Sequence, residues 1–406
     1  MNEIEGGVTA PKGFTAGGIH CGVKAGSSPD KNDLAMILSE LPCRAAATYT
    51  TNRVKAAPLQ VTRAHLQTGP IRGIIANSGN ANACAPHSLE YAEKMCACAA
   101  DATGLEPQEF LVASTGVIGQ TINIAAIESG MPALAQSLTR AGSEAAAHAI
   151  MTTDTKKKEY AVTAVVGGVT VTLGAIAKGS GMIHPNMGTM LCFITTDCKI
   201  SPQCLDRALH AVVPKTFNRV TVDGDTSTND MCVILANGMA GNGEIVTEGT
   251  DFEAFSLALL ELCRWMAIHI AADGEGASRL ITCRVHGTDS EKKAEILSKS
   301  VVGSVLVKAA MFGADANWGR VLCAMGYAGV PFDPEAVDVA FSSSAGSVAV
   351  CRNGAAIPFS EEQAKEILTK DSVTIEVCLH EGKDEATCWG CDLTYKYVEI
   401  NGDYRT

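Results

Sequence analysis

The chain has 406 residues, of which 47% are hydrophobic and 19% charged, with a formal net charge of -12. That length is enough for one large or two medium domains with a sizeable core. The acidic balance excludes nucleic acid or an anionic membrane surface as the main partner.

In chain order, the N-terminus Met1-Asn-Glu-Ile-Glu-Gly-Gly7 has no basic segment followed by an apolar one, so no signal peptide is expected. Ile71–Asn77 is a short apolar run ending in the turn-rich Asn77-Ser-Gly-Asn-Ala-Asn82. Glu90–Thr103 has helical character and stops at Gly104. Phe110–Ala113 reads as a short strand running into Ser114-Thr115-Gly116. Tyr160–Val166 and Val169–Ile176 flank Gly167-Gly168, a hairpin signal. Met190–Thr196 is the next strand. Ser201-Pro202 starts a helix, with Ser as cap and Pro at the first position. Phe252–Ala272 is a long, largely apolar helix, interrupted by Glu261 and Arg264, and no transmembrane span is expected. Ser290–Val307 reads as mostly helical, Val337–Val350 as strand, turn, strand, and Asp392–Ile400 alternates like a strand. Hairpin-paired strands with helices between them predict an α/β sandwich of layers. No dinucleotide or phosphate-loop motif appears, so nucleotide cofactors are unsupported.

Sixteen cysteines are scattered from Cys21 to Cys391 without a framework spacing, and are expected as reduced, mostly buried thiols. Cys388-Trp-Gly-Cys391 has redox or zinc spacing, but only His380 lies near in sequence as a further ligand, so no metal is expected. Asp223-Gly-Asp-Thr-Ser-Thr-Asn-Asp230 lacks the acidic twelfth position of a calcium loop and reads as structural or site-lining.

The most informative stretch is Lys178-Gly-Ser-Gly-Met-Ile-His-Pro-Asn-Met-Gly-Thr189, which runs into the apolar strand Met190–Thr196. Turn-forming residues join a buried strand through one Gly188-Thr189 bond. A generic Gly-Thr bond is only a surface turn. Here the arrangement suits self-cleavage, in which the Thr189 hydroxyl attacks the carbonyl of Gly188. The freed α-amine, with an ordinary pKa near ~7.7–8.0, would then serve as base for its own hydroxyl.

This segment resembles the self-cleavage segment of the glutamate N-acetyltransferase (ornithine acetyltransferase) family, with His184 and Gly188 standing where that family usually has Ala. Further matches run nearly end to end: Gly6–Phe14, Thr51–Lys55, Asn77–Asn82, Arg219–Asp225, Asn317–Arg320, Trp389–Tyr395 and the tail from Asn401. The resemblance implies an α-β-β-α sandwich of the N-terminal-nucleophile kind, cut into an α-chain of residues 1–188 and a β-chain of residues 189–406, intertwined as a cytoplasmic α2β2 heterotetramer. It implies Thr189 as nucleophile and Thr115 with Gly116 as oxyanion hole. Ser114-Thr115-Gly116 alone would read as a strand-ending turn. It implies substrate contacts at Thr152, Lys178, Thr189, Glu275, Asn401 and Thr406. Without it, Lys178 is a solvated strand end, Thr152 part of a helix-ending loop, and Glu275 part of a C-capping turn begun by Gly274. The implied substrates are N-acetylornithine and glutamate, with acetyl-CoA as a second acetyl donor in the bifunctional form of the family, and no cofactor. His184 reads as a loop residue, because the α-amine already fills the role of base. The alternatives are an N-terminal-nucleophile amidase or aminopeptidase, with water as acceptor, and an uncut binding protein.

Overall fold

The structure, a computed structural model, describes residues 1–24, 26, 28–184 and 190–403. Nine strands form one sheet: β1 Asn2–Ile4, β2 Phe14–Ile19, β3 Leu34–Tyr49, β4 Ile71–Asn80, β5 Phe110–Val117, β6 Lys158–Val166, β7 Val169–Lys178, β8 Leu191–Thr196 and β9 Met231–Ala236. Their order is β1-β6-β7-β8-β9-β3-β4-β5, with β2 also paired to β3. Strand β3 is the hinge of this sheet. Its first part, Leu34–Leu38, pairs with β2 and β4, and Arg44–Tyr49 pairs with β9. Between them lie the exposed Glu40, Leu41 and Pro42. Proline has no amide to give a ladder, so pairing lapses there and the strand can turn.

The sheet therefore doubles back on itself. Period-2 alternation then sends successive side chains to different layers. Ile37, Ile74 and Leu111 meet Phe193 and Val233 between the two halves. Met36, Ile75 and Val112 face outward onto helices α1 Ala57–Thr68, α2 Ser88–Thr103 and α3 Ile124–Gln136. Helix α4 Ser143–Ala149 packs into the inner layer. On the far side, Cys192, Ile194, Cys232 and Ile234 pack on α5 Pro202–Val212 and α6 Thr250–Ala272. The result is the four-layer α-β-β-α sandwich expected from the sequence.

Helix α6 is long and apolar enough to span a membrane by length and composition, but half of that stretch is buried. It is apolar nearly all round because it lies between the sandwich and the second sheet, whose Trp389 and Cys391 join its core. That six-stranded sheet contains β10 Leu280–Thr288, β11 Asp338–Ser343, β12 Gly346–Arg352, β13 Ala355–Ala356, β14 Ser372–Cys378 and β15 Asp384–Cys391, in the order β13-β12-β11-β14-β10-β15. Its core is shared with α7 Glu291–Gly303, α8 Val305–Phe312, α9 Trp318–Gly326 and α10 Glu361–Leu368.

Two sequence expectations need correction. Strand β5 continues past Ala113 to Val117, because Ser114, Thr115 and Gly116 still pair with β4. The tail, which alternates like a strand, is instead helix α11 Tyr395–Asp403. Tyr395 and Val398 are exposed on it, so the alternation has no core to fill. Strands β8 and β9 lie between β7 and β3, so the segments before and after residue 188 share one sheet.

Candidate active site

A cavity of about 290 Å³ opens where the two halves of the folded sheet end. Thr115 and Gly116 reach it from β5, Lys178 from the end of β7, and Thr152 from the loop after α4. Glu275 comes from the turn after α6 and Asn401 from α11. Six residues singled out in the sequence, from five separate segments, thus line one pocket. Gly188 and Thr189, with the bond between them, and Thr406 lie outside the described residues. Ser227, Thr228 and Asn229 also line the cavity, so the acidic, hydroxyl-rich segment is site-lining.

Gly116 has φ +129°, and a Cβ there would stand 2.4 Å from the carbonyl carbon of Gly79. Only glycine lets β5 approach β4 so closely at the irregularity near Gly79 and Asn80. Asn229 braces the same corner, its Nδ2 donating to Ala81 O at 2.6 Å and Ser114 O at 2.8 Å. The Asn77–Asn82 motif is bracing too: Asn80 Nδ2 donates to Gln120 O and Asn82 Nδ2 to Ser88 O. Lys178 Nζ donates to Thr115 Oγ1 at 3.4 Å. The hydroxyl's own proton is then free to point elsewhere, which is what an oxyanion donor needs.

Glu275 also lines the cavity. Its carboxylate accepts from Asn401 Nδ2 at 2.8 Å, and its amide donates to Ser180 O at 3.0 Å. A Cβ on Gly181 would stand 2.3 Å from that carboxyl group, so the glycine makes room for it. Helix α11 is fastened here, with Thr394 Oγ1 donating to Gly276 O.

Behind the pocket lies a buried ion network that the sequence did not reveal. Lys158 Nζ donates to Asp154 Oδ1 at 2.8 Å and Asp273 Oδ2 at 2.6 Å. Asp154 also accepts from Gly179 N and Thr152 N, and Asp273 from the amides of Thr155 and Lys156. One ammonium thus ties together the loops that carry Thr152, Lys178 and Glu275. Burial pushes the Asp154 carboxyl up, but Lys178, Lys158 and the hydrogen bonds outweigh it and hold it at about 2. The run Lys156-Lys-Lys158 reads as three solvated lysines, which is why the third escaped notice.

Asp223 clamps the start of the segment leading to residue 185, accepting from Met182 N at 2.6 Å and Ile183 N at 2.8 Å. Its carboxyl is raised, chiefly by burial. Buried Asp230 is raised further for the same reason, against the pull of Ser227 and Lys178. His184 does not line the cavity. Its Nδ1 pairs with Thr221 Oγ1 at 2.9 Å, and burial, reinforced by Lys299, lowers the imidazole to about 4. Asn317 caps α9 through Arg320 N and stands outside the pocket. Cys388 and Cys391 do not converge: Cys388 Sγ meets Ser298 Oγ in the core of the second sheet, while Cys391 lies beside Lys308 in the other core. Among the described residues, no group of three His, Cys, Asp or Glu side chains is placed to hold a metal.

The cavity carries both the Lys178 ammonium and the Glu275 carboxylate, a lining suited to small molecules of mixed charge, as in an enzyme's active site. Residues 15–406 match the model of the ArgJ family, and the chain belongs to that family. It is 48% identical to the arginine biosynthesis bifunctional protein ArgJ of Symbiobacterium thermophilum over 100% of both chains. It is 44% identical to that of Bacillus subtilis, over 100% of this chain and 98% of the relative. A crystal structure of the Bacillus halodurans protein of that name is 46% identical, with a TM-score of 0.50, covering 52% of this chain and 98% of the solved one.

Proposed function

We propose that this chain transfers the acetyl group of N2-acetylornithine to glutamate, giving ornithine and N-acetylglutamate in arginine biosynthesis. As a second activity, in keeping with the word bifunctional in its relatives' name, it acetylates glutamate from acetyl-CoA. The observation that carries this reading is the meeting of Thr115, Gly116, Thr152, Lys178, Glu275 and Asn401 in one cavity.

In this reading the Gly188-Thr189 bond cuts itself, and the new α-amine takes the proton of the Thr189 hydroxyl as its Oγ attacks the acetyl carbonyl. The tetrahedral oxyanion is held by the Thr115 hydroxyl and the Gly116 amide. As it collapses, the carbon–nitrogen bond breaks and ornithine leaves with the proton. Glutamate's amine then attacks the acetyl-Thr189 ester and frees Thr189. Lys178 offers a cation for the substrate carboxylate, and Glu275 with Asn401 meets the ornithine ammonium. Thr152, Thr189 and Thr406 complete the contacts. A β-chain beginning at Thr189 would be slightly more than half of the chain, the share that the solved relative's chain matches. The interleaving of β8 and β9 between β7 and β3 would keep the two pieces locked together. We place the enzyme in the cytoplasm as an α2β2 heterotetramer.

Product analysis tests the proposal. With acetylornithine and glutamate, N-acetylglutamate should form in step with ornithine. Acetate formed at the same rate with or without glutamate would make water the acceptor and the enzyme an amidase.

A further inference from the structure

A second cavity, of about 60 Å³, lies behind Thr152, which lines both. Lys24, Lys31, Asp33 and Gly79 form its other walls. Lys31 Nζ donates to Thr152 O at 2.6 Å, so the partition between the cavities is held by the ammonium itself. From here the packing runs straight to the proposed oxyanion hole. A Cβ on Gly79 would stand 2.9 Å from Lys24 Cβ, and one on Gly116 would stand 2.4 Å from the Gly79 carbonyl carbon. Asp33, in the cavity wall, accepts from the amides of Cys21, Gly22 and Val23 at 2.7–2.9 Å, which fixes the loop presenting Lys24. Burial lowers the Lys31 ammonium, and Lys24 and Lys178 push it further down, against the opposing pull of Asp154 and, more weakly, Asp33. The three cations feel one another at this corner, and an incoming anion would relieve them.

The proposed reaction places two amino acids of opposite side-chain charge in one site by turns. The carboxylate of Glu275 suits the ammonium of ornithine and repels the carboxylate of glutamate. We infer that the Lys24–Lys31 corner is an anion subsite that holds the side-chain carboxylate of the acetyl acceptor while its amine meets the acyl group. The inference rests on the proposed transferase reading. The phosphates of a thioester donor present the same chemistry, and the test separates the two.

The experiment uses the full enzyme with Lys24→Met, Lys31→Met and both together, assayed with acetylornithine plus glutamate and with acetyl-CoA plus glutamate. Single-turnover release of ornithine without acceptor reads the first half-reaction alone. Loss of a charge-assisted contact should raise KM for glutamate about tenfold in the double variant, with ornithine release changed by less than about threefold. Lys24→Arg with Lys31→Arg should restore most of it. A rise in KM for acetyl-CoA alone would support the anion subsite and assign it to the donor's phosphates. The inference is overturned if neither KM moves, or if ornithine release falls by the same factor as glutamate use, which would mean that only Thr152 was disturbed. Failure of the unaltered enzyme to move acetyl from acetylornithine to glutamate would instead sink the functional proposal, leaving these KM comparisons without a baseline.

Discussion

Replacing Lys158 by Met should do more damage than any surface lysine change. The side chain is only 1% exposed, and its ammonium is shared by Asp154 and Asp273, themselves 0% and 5% exposed. Methionine fills similar space but leaves two buried carboxylates without their cation. Removing one partner of a buried pair costs about 3–5 kcal/mol, limited by the option of the carboxylates taking up protons. The variant should therefore lose about 3 kcal/mol or more in urea unfolding at pH 7. The pH dependence gives a second reading. In the unaltered protein Asp154 stays ionised down to about 2, against an ordinary value of 3.8. A depressed folded-state pKa contributes stability that is complete above the unfolded value. It is lost as pH falls from about 4 to about 2, and amounts to roughly 2 kcal/mol. Without Lys158 the carboxyl rises, so acid unfolding should begin at higher pH. Because Asp154 also positions Thr152 and Gly179, kcat/KM should fall about 100-fold, consistent with a misplaced site. A loss under about 1 kcal/mol with an unchanged acid limb would refute the reasoning, since an exposed ion pair contributes no more than that.

Other substitutions separate walls of the site. Gly116→Ala forces a Cβ against the Gly79 backbone at positive φ. It should lower kcat by about 100-fold or more, while KM for acetylornithine moves little, as read by steady-state kinetics. Glu275→Gln keeps an acceptor for Asn401 but removes the charge, so KM for acetylornithine should rise about tenfold or more and Tm should hardly change. His184→Ala should leave the pH–rate profile above pH 5 unaltered, because the imidazole is already neutral there. Its low folded-state value costs stability as pH falls from about 6.5 toward 4, since the unfolded chain binds the proton more readily. The Ala variant should therefore lose less stability over that range in pH-dependent thermal melts.

The layered fold was legible because its strands alternate cleanly: Ile74 and Ile75 serve different layers, and Gly167-Gly168 makes the hairpin it signals, with φ +55° and +80°. The bend in β3 was not, because Glu40-Leu-Pro42 looks like a loop rather than the middle of a 16-residue strand. The pocket residues were found through their motif neighbourhoods, not their chemistry: Thr115 and Glu275 look like turn residues until the fold brings them to one cavity. The network of Lys158, Asp154 and Asp273 went unseen because Asp273 lies 115 positions from Lys158, while Asp154, only four positions away, sits in a polar stretch that looks like an exposed loop. The tail failed for the opposite reason. Leu393 to Ile400 is rich in strand-forming residues, yet the ties of Thr394 to Gly276 and of Asn401 to Glu275 hold it as a helix beside the pocket.

The central claim is that Thr189 becomes an N-terminal nucleophile and carries the acetyl group. It is tested most directly by intact-mass and N-terminal sequence analysis of the purified enzyme, before and after acetylornithine is added without acceptor. The account predicts two polypeptides, of 188 and 218 residues. The longer should begin at Thr189 and gain one acetyl group there, which glutamate then removes. A single uncut chain of 406 residues, or cut chains with no acetyl group on Thr189, would contradict it.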